Sequence, residues 1–138
     1  MIVYELIYSG NYGVCHDVTS FVMLSKYIEK SNITFKVRVS NNKSLKYIYD
    51  DLNNTKMVNI NYSTSGDYRK DIIDSQYALL GLKREYNGLV FPSKIYDYLM
   101  CGCILIVCSS SDCELAKIIK NNKLGLVVEN TTDEQKIV

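Results

Sequence analysis

Pro92-Ser93-Lys94, followed by Asp97, is the group of residues in this chain best suited to holding an anion. Pro92 is the only proline, and it fits the opening of a helix, where its missing N–H would have no intrahelical partner. Free N–H groups, a helix dipole and a lysine then converge on one spot, and a diphosphate is the natural guest. Lys94 would act as point charge and Ser93 as donor. Asp97 falls roughly 4.5 Å further along the axis, where a carboxylate can accept two hydroxyls of a ribose. A capped helix with a solvated lysine, and an acid paired with it at i, i+3, accounts for the same residues without a ligand.

Three other stretches bear on the same chemistry. Lys83-Arg84-Glu85 comes directly off an apolar run and reads either as a solvated charge cluster or as part of the mouth of that site. Gly10-Asn11-Tyr12-Gly13 is a G-x-x-G turn after the first apolar run, where backbone can approach a ligand closely or simply turn tightly. It is not the G-x-G-x-x-G of dinucleotide binding. The second strand also ends in Arg38, Val39 and Ser40 rather than in an acid, which disfavours NAD. Asn61 and Tyr62 open a polar loop, 61–66, in which the tyrosine ring can flank a planar base.

The elements that position these residues alternate regularly. Tyr77 to Leu82 reads as a buried strand and residues 83–88 as a polar loop. A helix from Pro92 stops at Gly102, and Cys103 to Cys108 forms a second buried strand. Before this unit stand a strand at 2–8, a helix at about 18–30, a strand at Ile33 to Val39 and a helix around Leu45 to Asn54. A third strand follows at Met57 to Ile60, then a short helix from Asp67 to Ser75. After the unit come a helix at Asp112 to Asn121, a strand at Gly125 to Val128 and, from Asp133, a helix that stops after one turn. This alternation predicts an α/β domain: a Rossmann-like parallel sheet of about six strands in the order 3-2-1-4-5-6, with helices on both faces. All strand-to-helix loops then share one edge, with the switch point between the loops at Ser9 and Lys83.

Composition narrows the function. At 138 residues the chain makes one domain, and a net charge of +1 gives no electrostatic reason to expect nucleic acid or an acidic membrane. No apolar run approaches the length of a membrane span, and no signal-peptide pattern opens the chain. Cys15, Cys101, Cys103, Cys108 and Cys113 form no C-x-x-C pair and read as buried reduced thiols of a cytoplasmic protein. His16 is the only histidine, so no metal site is expected.

These residues resemble the C-terminal, donor-binding half of GT-B glycosyltransferases of the retaining group 1, or family 4, type. The match runs through YSGNYG with His16-Asp17, LKREYNGLVFPSKIYDYLMCGCILI and ELAKIIKNNKLGLVVEN, essentially the whole chain. Its specific part is similar to PSK-x-x-(E/D)-Y-(L/M)-x-x-G-x-P in enzymes that build surface polysaccharides and lipid-linked saccharides. The resemblance implies a UDP- or GDP-sugar as donor substrate, no tightly bound cofactor or metal, and a saccharide or lipid-linked saccharide as acceptor. It also allows peripheral association of the full-length enzyme with the inner face of the membrane.

By the same resemblance Asp97 holds the donor ribose, and Pro92, Ser93 and Lys94 face the diphosphate with Lys83 and Arg84. Gly10, Asn11 and Gly13 form the first glycine loop, and Asn61 and Tyr62 lie beside the base. The family's E-x7-E pattern would want an acid at Leu89, so Glu85 is the nearest substitute for a catalytic acid. Cys103-Ile104 replaces the usual basic residue and proline, and the basic residues of the first loop are missing. Residues 1–138 therefore read as a single donor domain, without the N-terminal acceptor domain and with its last helix truncated, inactive when isolated. Two alternatives stand beside it. A nucleotide-sugar 2-epimerase on the same fold would want several histidines, and a non-catalytic nucleotide-binding module of receiver type would want acids at the ends of the first and third strands.

Overall fold

The computed structural model describes residues 4–10, 32–39, 41–44, 46, 60–64 and 68–130. Six strands form one sheet: β1 Tyr4–Ser9, β2 Ile33–Arg38, β3 Ile60–Ser63, β4 Tyr77–Gly81, β5 Ile104–Ser109 and β6 Gly125–Glu129. Their order is β3-β2-β1-β4-β5-β6 and every neighbouring pair is parallel, as the sequence predicts. Three described helices link them: α1 Tyr68–Ile73, α2 Lys94–Met100 and α3 Glu114–Asn121. The helix expected at 18–30, nearly all of the one around Leu45 to Asn54, and the turn of helix from Asp133 lie outside the described residues.

Period-two alternation assigns the apolar side chains to two cores. Ile7, Ala78, Leu80, Leu105 and Val107 pack with Ile72 of α1, Ile95 and Tyr98 of α2, and Leu115, Ala116 and Ile119 of α3. The intervening residues Leu6, Tyr8, Leu79 and Cys108 join Phe35, Val37 and Val39 in the second core. The central strands are thus apolar on both faces, which is why they read as continuous hydrophobic runs rather than as alternating ones. Helices α1 to α3 all share the first face.

The third strand needs a correction. Asn61, Tyr62 and Ser63 are not a loop but belong to β3, in register with Lys36, Val37 and Arg38. The side chain of Tyr62 packs against the second core, and that burial overrides the turn preference of the flanking Asn and Ser.

Both ends of α2 bear on the central motif. Ile95 and Tyr96 N–H groups donate to the carbonyls of Pro92 (3.4 Å) and Ser93 (3.2 Å), so the opening turn is tight and 3₁₀-like. Ser93 is expected as a donor to a bound diphosphate. It has helical dihedrals (φ −68°, ψ −20°) and makes no capping bond, which leaves its hydroxyl on the exposed surface. At the other end Gly102 has φ +80°. Its N–H donates to Leu99 (3.1 Å) and that of Cys103 to Tyr98 (3.0 Å), the paired bonds of a Schellman stop. The glycine does what the sequence predicts of it. Helix α3 ends in the same way, with Lys123 at φ 53° in the glycine position.

Candidate functional site at the switch point of the sheet

The strand order reverses between β1 and β4, and here the sheet opens. β1 stays in register with β2 as far as Ser9–Arg38, and β4 with β5 as far as Gly81–Cys108. Between themselves β1 and β4 pair only at Leu6–Tyr77 and Ile7–Ala78. The crevice beyond Ile7 is where α/β proteins of this topology place ligands.

Tyr98 of α2 stands at the base of this crevice. Its hydroxyl accepts a hydrogen bond from the Ser9 N–H (2.9 Å) and donates one to the Ser9 carbonyl (3.1 Å). The ring is fully buried. Burial raises the phenol pKa far above its ordinary value, only partly offset by the Ser9 hydrogen bond, so the hydroxyl stays a donor throughout the working pH range. Gly10 follows at φ +126°, a conformation open to glycine, and its N–H donates to Arg38 O (2.9 Å) on the β2 side. Asn11 and Gly13 lie outside the described residues.

On the opening turn of α2, Lys94 Nζ lies 3.2 Å from Asp97 Oδ2. Both line a depression of about 140 Å³ between α1 and α2, with Tyr68, Arg69, Ile72, Met100 and Cys101. Pro92, Ser93, Lys94 and Asp97 are therefore brought together on one helix start, and Tyr98 ties that helix to the residue before Gly10.

The charged loop after β4 goes elsewhere. Arg84 pairs with Glu129 at the end of β6, and the other oxygen of Glu129 accepts the Ser111 N–H (2.8 Å). Asn87 of the same loop donates to the Ser110 hydroxyl after β5. These bonds draw residues 84–87, including the exposed Glu85 on its 3₁₀ turn, across the ends of β5 and β6, away from β1. Lys83, half-buried, precedes that turn. Asn61 and Tyr62 sit on β3, at the sheet edge two strands from the crevice.

Three residues with local roles escaped the sequence reading. Tyr98 reads as an ordinary core aromatic at helical spacing, and nothing local reveals a partner 89 positions away. Arg38, nearly buried, donates to Asp71 (2.8 Å) and to the carbonyls of Asn61 (2.8 Å) and Val37 (3.3 Å), which fastens β2, β3 and α1 together. Cys113 caps α3, its sulfur accepting the Ala116 N–H at 3.4 Å. Among the described residues no three His, Cys, Asp or Glu side chains converge as metal ligands, and no helix is long and apolar enough to cross a membrane.

No family model matches the sequence, and no curated protein matches it. Similarity appears in three dimensions. The C-terminal CMP-Kdo binding domain of WaaA from Acinetobacter baumannii superposes with a TM-score of 0.62 at 10% identity, over 97% of this chain and 76% of that domain. OtsA follows with a TM-score of 0.61 at 14% identity, over 99% of this chain and 35% of that one. AviGT4, a glycosyltransferase involved in avilamycin A biosynthesis, gives 0.59 at 13% identity, over 97% and 41%. The chain thus spans well under half the length of the latter two. The fold is that of the C-terminal half of a GT-B glycosyltransferase.

Proposed function

We propose that this chain is the donor-binding half of a cytoplasmic glycosyltransferase and holds a UDP- or GDP-linked sugar for retaining transfer to a saccharide or lipid-linked saccharide. The observation that carries the reading is the switch-point crevice, with the Lys94–Asp97 turn of α2 tied through Tyr98 to the Ser9–Gly10 end of β1. In this reading Lys94 and the first-turn N–H groups hold the diphosphate, and Asp97 accepts the ribose hydroxyls. Gly10, with Asn11 and Gly13 after it, lets the backbone approach the phosphates and the transferred sugar. The acceptor and the groups that activate it come from a facing N-terminal domain. The likeness to glycosyltransferases across nearly the whole chain supports the class of donor.

Melting temperature measured with UDP, GDP, CMP and a flavin tests this, because a ligand that binds only the native state raises it. UDP or GDP is expected to raise it in a concentration-dependent way. CMP enters because the WaaA domain binds CMP-Kdo; a response to CMP alone replaces the diphosphate by a single phosphate and overturns the UDP- or GDP-sugar reading. A response to flavin alone, or to none of the four, sinks the proposal.

A further inference from the structure

The direction in which Ser9 presents its backbone shows what the Tyr98 hydroxyl replaces. The N–H groups of Tyr4 and Gly10 donate toward β2, to Asn32 O and Arg38 O (both 2.9 Å). The carbonyl of Glu5 accepts from Gln76, on the β4 side (3.1 Å). Even-numbered positions of β1 therefore face β2, and odd-numbered ones, Ser9 among them, face β4. Opposite Ser9, however, β4 has already parted from β1, the last paired residues being Ile7 and Ala78. A buried N–H and C=O would be left without the strand that normally serves them, which the free energy of burying polar groups forbids. The phenol of Tyr98 supplies both an acceptor and a donor at that place.

We infer that Tyr98 is a positioning residue: its hydroxyl stands in for the absent β4 pairing, keeps the crevice open and fixes Ser9–Gly10 against the Lys94–Asp97 turn. The inference rests on the donor-site reading above and adds to it the part that sets the distance between its two walls. A ligand touching only α2 does not sense that distance. One that spans α2 and Gly10 does. Phenylalanine at 98 keeps the ring in the core but lets β1 and α2 shift relative to each other.

The test compares wild type with Tyr98→Phe in calorimetric titrations with UDP, GDP, uridine and guanosine, alongside denaturant unfolding. The expected result is a fall of about tenfold in diphosphate affinity, equivalent to about 1.4 kcal/mol, with nucleoside affinity nearly unchanged. A purely structural role would lower stability while leaving the ratio of diphosphate to nucleoside affinity as in wild type, and that outcome overturns the inference. Rescue provides a second arm, which also serves if Tyr98→Phe fails to fold. 4-Aminophenylalanine at 98 retains a donor for the Ser9 carbonyl and is expected to keep most of the wild-type ratio. A ratio that this variant and Tyr98→Phe lower equally, or a folded 4-aminophenylalanine chain with no preference for diphosphates, counts against the hydroxyl's role. Wild-type protein that binds neither diphosphate overturns the donor reading and this inference with it; wild-type binding with an unchanged ratio in the variants overturns the inference alone.

Discussion

Lys94 Nζ stands 3.2 Å from Asp97 Oδ2 along one turn of α2, so the two side chains proposed to hold opposite ends of a ligand are each other's partner. Lys94 is about one-third exposed and Asp97 more than half exposed, and a pair so open to water contributes at most about 1 kcal/mol to stability. A phosphate approaching Lys94 competes with Asp97 for the ammonium, whereas a ribose approaching Asp97 competes with Lys94 for the carboxylate. In the proposed reading a ligand that reaches both side chains therefore displaces the pair at less cost than either part alone.

Asp97→Ala is therefore expected to act oppositely on the two halves of the ligand. Affinity for a nucleoside should fall, by roughly 1.5–3 kcal/mol if the carboxylate accepts the ribose hydroxyls. Affinity for inorganic pyrophosphate should stay level or rise, because Lys94 has lost its competitor. Calorimetry with both ligands decides it. Equal weakening of the two would mean that Asp97 acts through the shape of α2 and not as a ribose contact.

Lys94 and Arg84 are rival cations for the diphosphate, and the geometry separates them. Arg84 is tied to Glu129 at the end of β6, whereas Lys94 opens the helix that Tyr98 binds to β1. Lys94→Met should weaken UDP or GDP binding and reduce its salt dependence, since one partly exposed charge has gone, while nucleoside binding stays level or rises because Asp97 has lost its competitor. Arg84→Met should leave both affinities near wild type and change stability by less than about 1 kcal/mol. The reverse pattern hands the phosphates to Arg84.

What could be read in the sequence was the repeating physics. Apolar runs on β1, β4 and β5 announced strands buried on both faces, and Gly102 announced the helix stop, because each signal is local. Asn61-Tyr62-Ser63 misled because edge-strand pairing with Lys36 to Arg38 outweighs composition. The candidate site was legible as a helix start and as Gly10 at the end of β1. What joins them was not, since the Tyr98–Ser9 bonds link residues 89 positions apart and depend on where β4 leaves β1.

Gly125 tests the far side of the sheet. A Cβ built there would lie 1.9 Å from the Leu105 carbonyl oxygen and 2.7 Å from the Leu105 nitrogen, so backbone and not a flexible side chain stands in the way. Gly125→Ala must push β6 from β5 at the start of their pairing. Overpacking of this kind costs about 1–3 kcal/mol, and denaturant unfolding should show a lower midpoint. Unchanged stability would mean that the edge strand shifts freely, and that Glu129 holds its Arg84 and Ser111 contacts without help from the register.

Cys103 contributes one part of the alkaline pH dependence of stability. The thiol is buried at the Schellman turn of α2, with Sγ donating to the carbonyls of Ile72 (3.4 Å) and Ser75 (3.5 Å). Burial, and secondly the neighbouring Cys101, push its pKa from 9.0 up to about 11. The folded chain keeps a proton that the unfolded chain releases between those values, so this contribution to stability is complete below about pH 9 and declines as pH rises through about 11. Cys103→Ala removes the titrating group, and its stability should fall less steeply than wild type's over that window; the difference of the two slopes isolates Cys103 from the lysines and tyrosines that titrate in both proteins. Alkylation gives an independent reading, because the thiolate is the reactive form. At pH 8 the half-buried Cys101 should react with iodoacetamide well before Cys103, as peptide mass spectrometry would report. Faster labelling of Cys103, or equal slopes in the two proteins, would mean that the end of α2 opens often enough to bring water to the thiol, and then Tyr98, in the last turn of that helix, could not hold the walls of the crevice at a fixed distance.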